Sequence, residues 1–563
     1  MSGLTAAILA GALAAAQQPP ADPFAQLRDA YARRDAASAA AAYSSDAVVI
    51  YRYTRRPAER FVTRPVIEES FRRILAGNAD TSRLDLNFRM ITRTRERASG
   101  YYRLRVARRG ASYGRFDVRF APDGSFAEDI SSSATREDFE DAAGAVALAP
   151  DDEDLDATYY DRFTGRYRLP DGCDLIVTRS VVRLMMRNSC TQEWRGLSRV
   201  AGRLWTAGDR VISSVARDTI RFTPAGSNAD ALLLRSSGRT TRALRRDRYS
   251  RRDVVFKSTD GTALAGVLYL PHGTPARRAA VVMIHGSGAQ DRNGYASIIA
   301  VMADELAANG RVVLAYDKRG AGGSAGDGSR APFETLADDA SAAATYLATL
   351  PEVDRTRVGF AGSSQAGWVA AKAIERGAKP ADVFLLGAAG AALTVAEQNV
   401  YNTEVRMRCG GLAADAITLG LDQQRAFFAF LRDPAAASRL DALTLRAAAV
   451  PSLRDWLFPN STSVDRSAGE WYVTLDPAFD PLPVWRAYRG RAVFVFSEFD
   501  DATPTSVAVD RLRGTPVATT VLAGGQHLGL RAPSLCQSAI GDTRAFTAEL
   551  FGALRTFADL RRQ

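Results

Sequence analysis

Histidine is nearly missing from this chain, with three in 563 residues, at positions 272, 285 and 527. A reaction that needs an imidazole base therefore has few places to be built. Cysteine is also scarce, at four residues, and no Cys or His clustering has metal-ligand spacing, so neither a metal nor a cofactor is expected. Lysine occurs at positions 257, 318, 372 and 379, and arginine carries most of the net charge of +10. Those arginines are scattered through every segment rather than gathered on a recognisable module, which argues against nucleic acid as a partner and leaves attraction to anionic surfaces as the weaker alternative. Beyond the N-terminus no run is long and apolar enough for stable membrane insertion. At 46% hydrophobic and 24% charged residues, the composition suits globular cores, and the length suits two or more domains.

What the chain does contain is Gly362-Ser363-Ser364-Gln365-Ala366-Gly367, between the apolar run Arg357 to Ala361 and a helical stretch from Trp368 to Arg376. It reads as a strand, a sharp turn and a helix. A nucleophilic Ser in such a turn needs small residues two before and two after it, because a larger side chain would collide across the reversal. Gly362 and Ala366 supply them around Ser364. The following helix points its positive end at the turn, so the Gln365 amide suits an oxyanion. A Ser-rich helix start is the plain alternative, and histidine shifts the balance.

His285 ends the apolar strand Ala280 to Ile284 and opens His285-Gly286-Ser287-Gly288, and it reads as structural. His272 sits in a turn, Leu270-Pro271-His272-Gly273, and reads as solvated. His527 follows the strand-like Ala518 to Leu522, downstream of Ser364, where a base in the order Ser, acid, His belongs. The acid should follow a strand between them. Ala492 to Phe496 is a continuous apolar run, and Ser497-Glu498-Phe499-Asp500-Asp501 comes next. Asp500 is the choice, with Asp501 and Glu498 as neighbours that remain open.

From about Val254 onward the chain resembles the α/β-hydrolase superfamily, in particular EstD-type bacterial esterases near the S9 peptidases and dienelactone hydrolases. The likeness rests on Asp260-Gly261-Thr262-Ala263-Leu264-Ala265-Gly266, His285-Gly286-Ser287-Gly288-Ala289-Gln290-Asp291-Arg292, Tyr316-Asp317-Lys318-Arg319-Gly320-Ala321-Gly322-Gly323-Ser324, and Asp476-Pro477 with Asp480-Pro481. It implies a mostly parallel sheet with helices on both faces, and a serine carboxylesterase working through an acyl-enzyme with catalytic Ser364, Asp500 and His527. The Gln365 and Ser287 amides would form the oxyanion hole, and a small-molecule ester would be the substrate. The chain departs from the usual pattern at Ser363, where His is common, and at Ala366 and Ser497, where Gly is common. An S9-like peptidase or amidase is the runner-up, and an inactive binding protein is the reading from a different class. A haloalkane dehalogenase is disfavoured, since it needs a carboxylate where Ser364 stands.

Elsewhere, residues 1–20 resemble a signal peptide, with a small-residue stretch at Ala14-Ala15-Ala16 but no basic residue ahead of it, so export to the periplasm or medium is expected and a cytoplasmic protein is the alternative. Residues 22–140 resemble an NTF2-like, SnoaL-type α+β domain on the strings Tyr31 to Asp35 and Tyr43 to Val48, which implies a binding or packing role and a homodimer through that domain. An acidic linker follows at 141–157, then a small all-β module at 158–250 with Trp194 and Trp205 read as core. The hydrolase region spans 251–563 with a helical cap at about 391–489, where Phe427, Phe428, Phe430, Leu431 and Trp456 to Phe458 either line an acyl pocket or pack the cap itself. Cys173 and Cys190 flank two strand-like runs and could face each other across a hairpin. Cys409 and Cys536 could pair if the region after Leu393 folds against the C-terminal helix, and buried free thiols are the alternative.

Overall fold

The structure, a computed structural model, describes residues 22–52, 59–76, 84–106, 110–134, 139, 160–180, 183–201, 203–208, 217–225, 228–273, 277–328, 331–453, 476–538 and 543–559. The leader expected at 1–20, the linker at 141–157 and the Trp456 to Phe458 segment lie outside them. Chain contacts divide the protein into two units, one running to Pro150 and the other from Asp151 to the end, apart from a short exchange at residues 54–56.

The first unit is mostly strand. β1 (Tyr43–Arg52), β2 (Glu59–Val62), β3 (Leu84–Arg93), β4 (Arg97–Val106), β5 (Gly110–Phe120) and β6 (Phe126–Ser133) form a sheet in the order β2-β1-β6-β5-β4-β3. Helices Pro23–Arg33, Ala36–Ala40 and Arg64–Ala76 accompany it. Asp22 caps the first, accepting from the Phe24 amide, with Pro23 at the first helical position. Its Phe24, Leu27 and Tyr31 are buried, and the Phe24 ring packs against Phe88, Phe116 and Phe126. On the sheet the Tyr43 hydroxyl donates to Asp129 Oδ2 at 2.6 Å, and burial pushes both groups up from their ordinary pKa values.

The second unit joins a barrel to a larger sheet. β7 (Gly165–Arg168), β8 (Asp174–Ser180), β9 (Arg183–Asn188), β10 (Trp194–Ala201), β11 (Leu204–Ala207), β12 (Asp218–Ala225), β13 (Asn228–Ser236) and β14 (Arg239–Arg245) close into a barrel filled by Phe163, Tyr167, Trp205 and Phe222. Closure leaves the sheet with no free edge. Cys173 and Cys190 are joined across the β8–β9 hairpin.

The large sheet runs β15 (Tyr249–Lys257), β16 (Ala263–Pro271), β18 (Val312–Tyr316), β17 (Arg278–Ile284), β19 (Val353–Ser363), β20 (Asp382–Leu386), β21 (Arg491–Ser497) and β22 (Val517–Leu522). Every pairing from β18 to β22 is parallel. Parallel strands covered on both faces read as unbroken apolar runs, and β17, β18 and β20 are buried almost throughout. β22 is one edge, and its central Ala-Thr-Thr-Val is exposed. The helices Phe333–Ala348 and Ala366–Glu375 pack in one core with Phe360 and Val383, whereas Ile298–Ala308 and Ala548–Ala558 pack in another with Val281 and Phe384.

Barrel and sheet share that second core. Met185 and Trp194 of the barrel belong to it, the Trp194 ring lies 5.0 Å from that of Phe546, and Glu193 bridges to Ala545. Buried charge joins them as well. Arg166 binds Asp304 through Nε at 2.9 Å and a terminal nitrogen at 2.7 Å, and Arg187 reaches Glu305 at 3.1 Å. Arg179, on β8, reaches Asp291 in the loop after β17 at 3.1 Å.

Between β20 and β21 the chain is helical over its described residues, with helices Val395–Cys409, Ala414–Arg432, Ala437–Ala448 and Leu482–Ala487. Phe427 and Phe428 are buried in the core that also holds Phe360 and Trp368, and Phe430 and Leu431 pack against it. Cys409, ending the first of these helices, is bonded to Cys536, and among the described residues no cysteine is free.

Candidate active site

Sheet register sets the site. Ile284 pairs with Gly362, Ser363 with Leu386, and Ser497 with Leu522, so the residues following these strands emerge along one edge. In open parallel sheets ligands bind at that carboxyl edge.

Ser364 sits there with φ of 57°, in the left-handed region that a non-glycine residue adopts only under local constraint. The constraint is visible. A Cβ on Gly362 would lie 2.4 Å from the Ile284 carbonyl oxygen and 2.5 Å from the Ala366 Cβ, so the turn closes only with small residues at those points. Ser364 is half-buried while Ser363 and Gln365 are buried, leaving its side chain the most accessible of the three. Gln365 precedes the Ala366–Glu375 helix, and its N–H lies outside the helical ladder.

The loop after β17 lies against the serine. A Cβ on Gly286 would be 3.5 Å from the Ser364 Cβ, and Ser287, the next residue, is exposed. His285 is buried with its ring edge-on to Tyr316, and burial, together with the nearby Lys318 cation, pulls its pKa down to about 4. It is a neutral packing residue. His272 is exposed, away from this edge, on the loop after β16.

The other two residues meet directly. His527 Nδ1 lies 2.9 and 3.0 Å from the two oxygens of Asp500. That carboxylate is 1% exposed, and Oδ1 also accepts the amides of Ala502 at 2.8 Å and Thr503 at 2.7 Å. Its neighbours are used otherwise. Glu498 accepts the Gly524 amide at 2.8 Å, bracing the turn before His527, and burial raises the carboxyl of Asp501.

Serine and histidine are anchored to the same dipeptide. The Ser364 amide donates to the Leu386 carbonyl at 2.9 Å, and Gly387 lies beneath His527, where a Cβ would be 2.3 Å from the His527 carbonyl oxygen and 3.2 Å from Nδ1. Gly387 has φ of 56°. Gly387→Ala would therefore add both strain and a clash at the imidazole, and kcat should fall by on the order of 100-fold. Steady-state kinetics on the purified variant, with circular dichroism to confirm folding, would check it.

The helix Val395–Cys409 grips the acid loop from the side. Gln398, Tyr401 and Asn402, spaced to share one face, donate to the carbonyls of Ala502 at 2.8 Å, Asp500 at 2.9 Å and Asp501 at 2.7 Å. Arg511 fixes the start of that helix through Glu397, and the disulfide fixes its end. The helix side chains and Gly387 escape a search for catalytic residue types, because they carry no reactive group and matter through backbone contacts that only the fold brings together. Among the described residues no group of His, Cys, Asp and Glu could hold a metal ion.

Residues 281–536 match the model of the alpha/beta hydrolase family. An uncharacterized protein of Mycobacterium tuberculosis is 38% identical over 119 residues, 21% of this chain and 39% of that protein. The polyketide transferase claH of Penicillium crustosum is 35% identical over 121 residues, 21% of this chain and 38% of its own length. The match thus spans under half of these curated relatives. Among solved structures, an esterase from Exiguobacterium antarcticum aligns with 49% of this chain and 92% of its own, at 16% identity and a TM-score of 0.31. The alpha/beta hydrolase GrgF from a Penicillium species aligns with 50% of this chain and 91% of its own, at 21% identity and a TM-score of 0.33. The C-terminal region of this chain is an alpha/beta hydrolase domain.

Proposed function

We propose that the protein is a serine hydrolase that cleaves carboxylic esters through an acyl-enzyme. The observation that carries this reading is a serine held at φ of 57° on a strand-to-helix turn, anchored to the same dipeptide that seats a His527–Asp500 pair. With Nδ1–H donating to Asp500, the imidazole leaves Nε2 as the acceptor. Ser364 Oγ attacks the ester carbonyl as its proton passes to Nε2. The amides of Gln365 and Ser287 receive the oxyanion. Collapse of the tetrahedral adduct expels the alcohol, which takes the proton from His527, and water repeats the cycle on the acyl-enzyme. A fluorophosphonate probe should label the intact chain at Ser364, read by peptide mass spectrometry, and an unlabelled chain would favour a binding protein. Matched ester and anilide substrates would separate an esterase from a peptidase or amidase.

Two further readings go with it. Export to an oxidising compartment is supported by the two disulfides, which reducing cytosol disfavours. An NTF2-like assignment for the first unit is supported by three helices sharing a core with a six-stranded sheet.

A further inference from the structure

Lys318 is buried on the loop after β18, and its ammonium meets three neutral acceptors: the Gly286 carbonyl at 3.1 Å, the Gly288 carbonyl at 3.1 Å and Gln365 Oε1 at 2.7 Å. An ammonium has three protons, and each is used. Two acceptors belong to the loop after β17, and the third to the residue that follows Ser364. Between them, the Ser287 carbonyl is held by Gln290 Nε2 at 2.7 Å, and the Gln290 carbonyl in turn accepts the Lys318 amide at 3.0 Å. Three consecutive carbonyls, from Gly286 to Gly288, are thus fixed by Lys318 and its partner Gln290.

The orientation of those carbonyls decides what the loop presents. In a trans peptide the C=O and the following N–H point in opposite directions, so a Gly286 carbonyl turned to Lys318 turns the Ser287 N–H away from it. Taking a cation out of water is costly, and packing alone would favour an apolar side chain of similar volume. We propose that Lys318 is a positioning residue for the oxyanion hole, its ammonium locking residues 286–288 against the Ser364 elbow and setting a formal positive charge behind the two amide donors. This rests on the serine-hydrolase reading above.

The charge is titratable. Burial pulls the Lys318 pKa down to about 8, opposed by Asp339. The groups facing it are few. His285, at the end of β17, is held neutral, and Gln365 on the elbow carries no charge. Asp339, on the Phe333–Ala348 helix, is shared with Arg319, and Asp317 on its own loop is bound by Arg292. The ammonium is present below about pH 8 and lost above it.

The test uses full-length enzyme and a p-nitrophenyl ester. Wild type is expected to show an alkaline limb near pH 8, and Lys318→Met should lower kcat by on the order of 100-fold with little change in KM and flatten that limb. Lys318→Arg, whose cation does not titrate in this range, should also lack that limb. A Lys318→Met enzyme with unchanged kcat, or one that keeps the limb, would overturn the proposal. Should that variant fail to fold, wild type decides: inhibition by a trifluoromethyl ketone, which forms an oxyanion adduct, should weaken as pH rises through 8, and a constant inhibition constant would be decisive against it. Turnover that survives Ser364→Ala would instead remove the serine reading, so the two failures are separable.

Discussion

Ser364→Ala is expected to cut turnover of a short-chain p-nitrophenyl ester by about 10⁴-fold or more, with KM little changed, because loss of a nucleophile leaves only oxyanion binding and positioning. The substitution is unusually clean here. Ser364 contacts Leu386 and Gly367 through its backbone, and those bonds survive in alanine. The left-handed φ is as accessible to alanine as to serine, so thermal stability should hardly move. Active-site titration with a fluorophosphonate alongside the kinetics would distinguish a lost nucleophile from a collapsed fold. A variant that keeps full turnover would mean that another group forms the acyl-enzyme.

Asp500→Asn should cost about 10⁴-fold in kcat, as in triads where an amide replaces the orienting carboxylate and the imidazole settles in the wrong tautomer. Asn retains one oxygen for the amides of Ala502 and Thr503, so the loop geometry should persist while the charge facing the imidazolium disappears. Asp501→Asn provides the internal comparison. Its side chain is not the one at His527 Nδ1, so a change of less than about tenfold is expected. Glu498→Gln should likewise be mild, since an amide oxygen can still accept the Gly524 N–H. Parallel kcat profiles from pH 5 to 9 would read all three, and equal losses at 500 and 501 would remove the distinction between them.

How much of this was legible in the sequence follows from what each residue acts on. Ser364, Asp500 and His527 carry reactive groups of types that are rare or ordered along the chain, and a strand-like run ahead of each points to one sheet edge. The choice among three acids had to wait for His527, because carboxylates within a few residues differ only in direction. Gly387 gives no reactive group to notice. It matters through the left-handed turn beneath an imidazole 140 residues downstream. Local pairing, as between Cys173 and Cys190, can be anticipated from a hairpin, whereas Cys409 and Cys536, with a sequence separation of 127, depend on how the helical insertion folds back. Barrel closure was equally hidden, since β7 and β14 are distant in sequence and each reads as an ordinary strand.

The arginines that the barrel lends to Asp304 and Glu305 have an evolutionary consequence. A descendant that discarded residues before Tyr249 would leave Asp304 without Arg166, and the apolar face at Phe546 without Trp194. An apolar face of that kind left open to water is a liability for association and folding. Shuffling at that junction would have to change both partners in one step. Gradual loss of the barrel would therefore be disfavoured at each step, so barrel and hydrolase are expected to be kept or lost together.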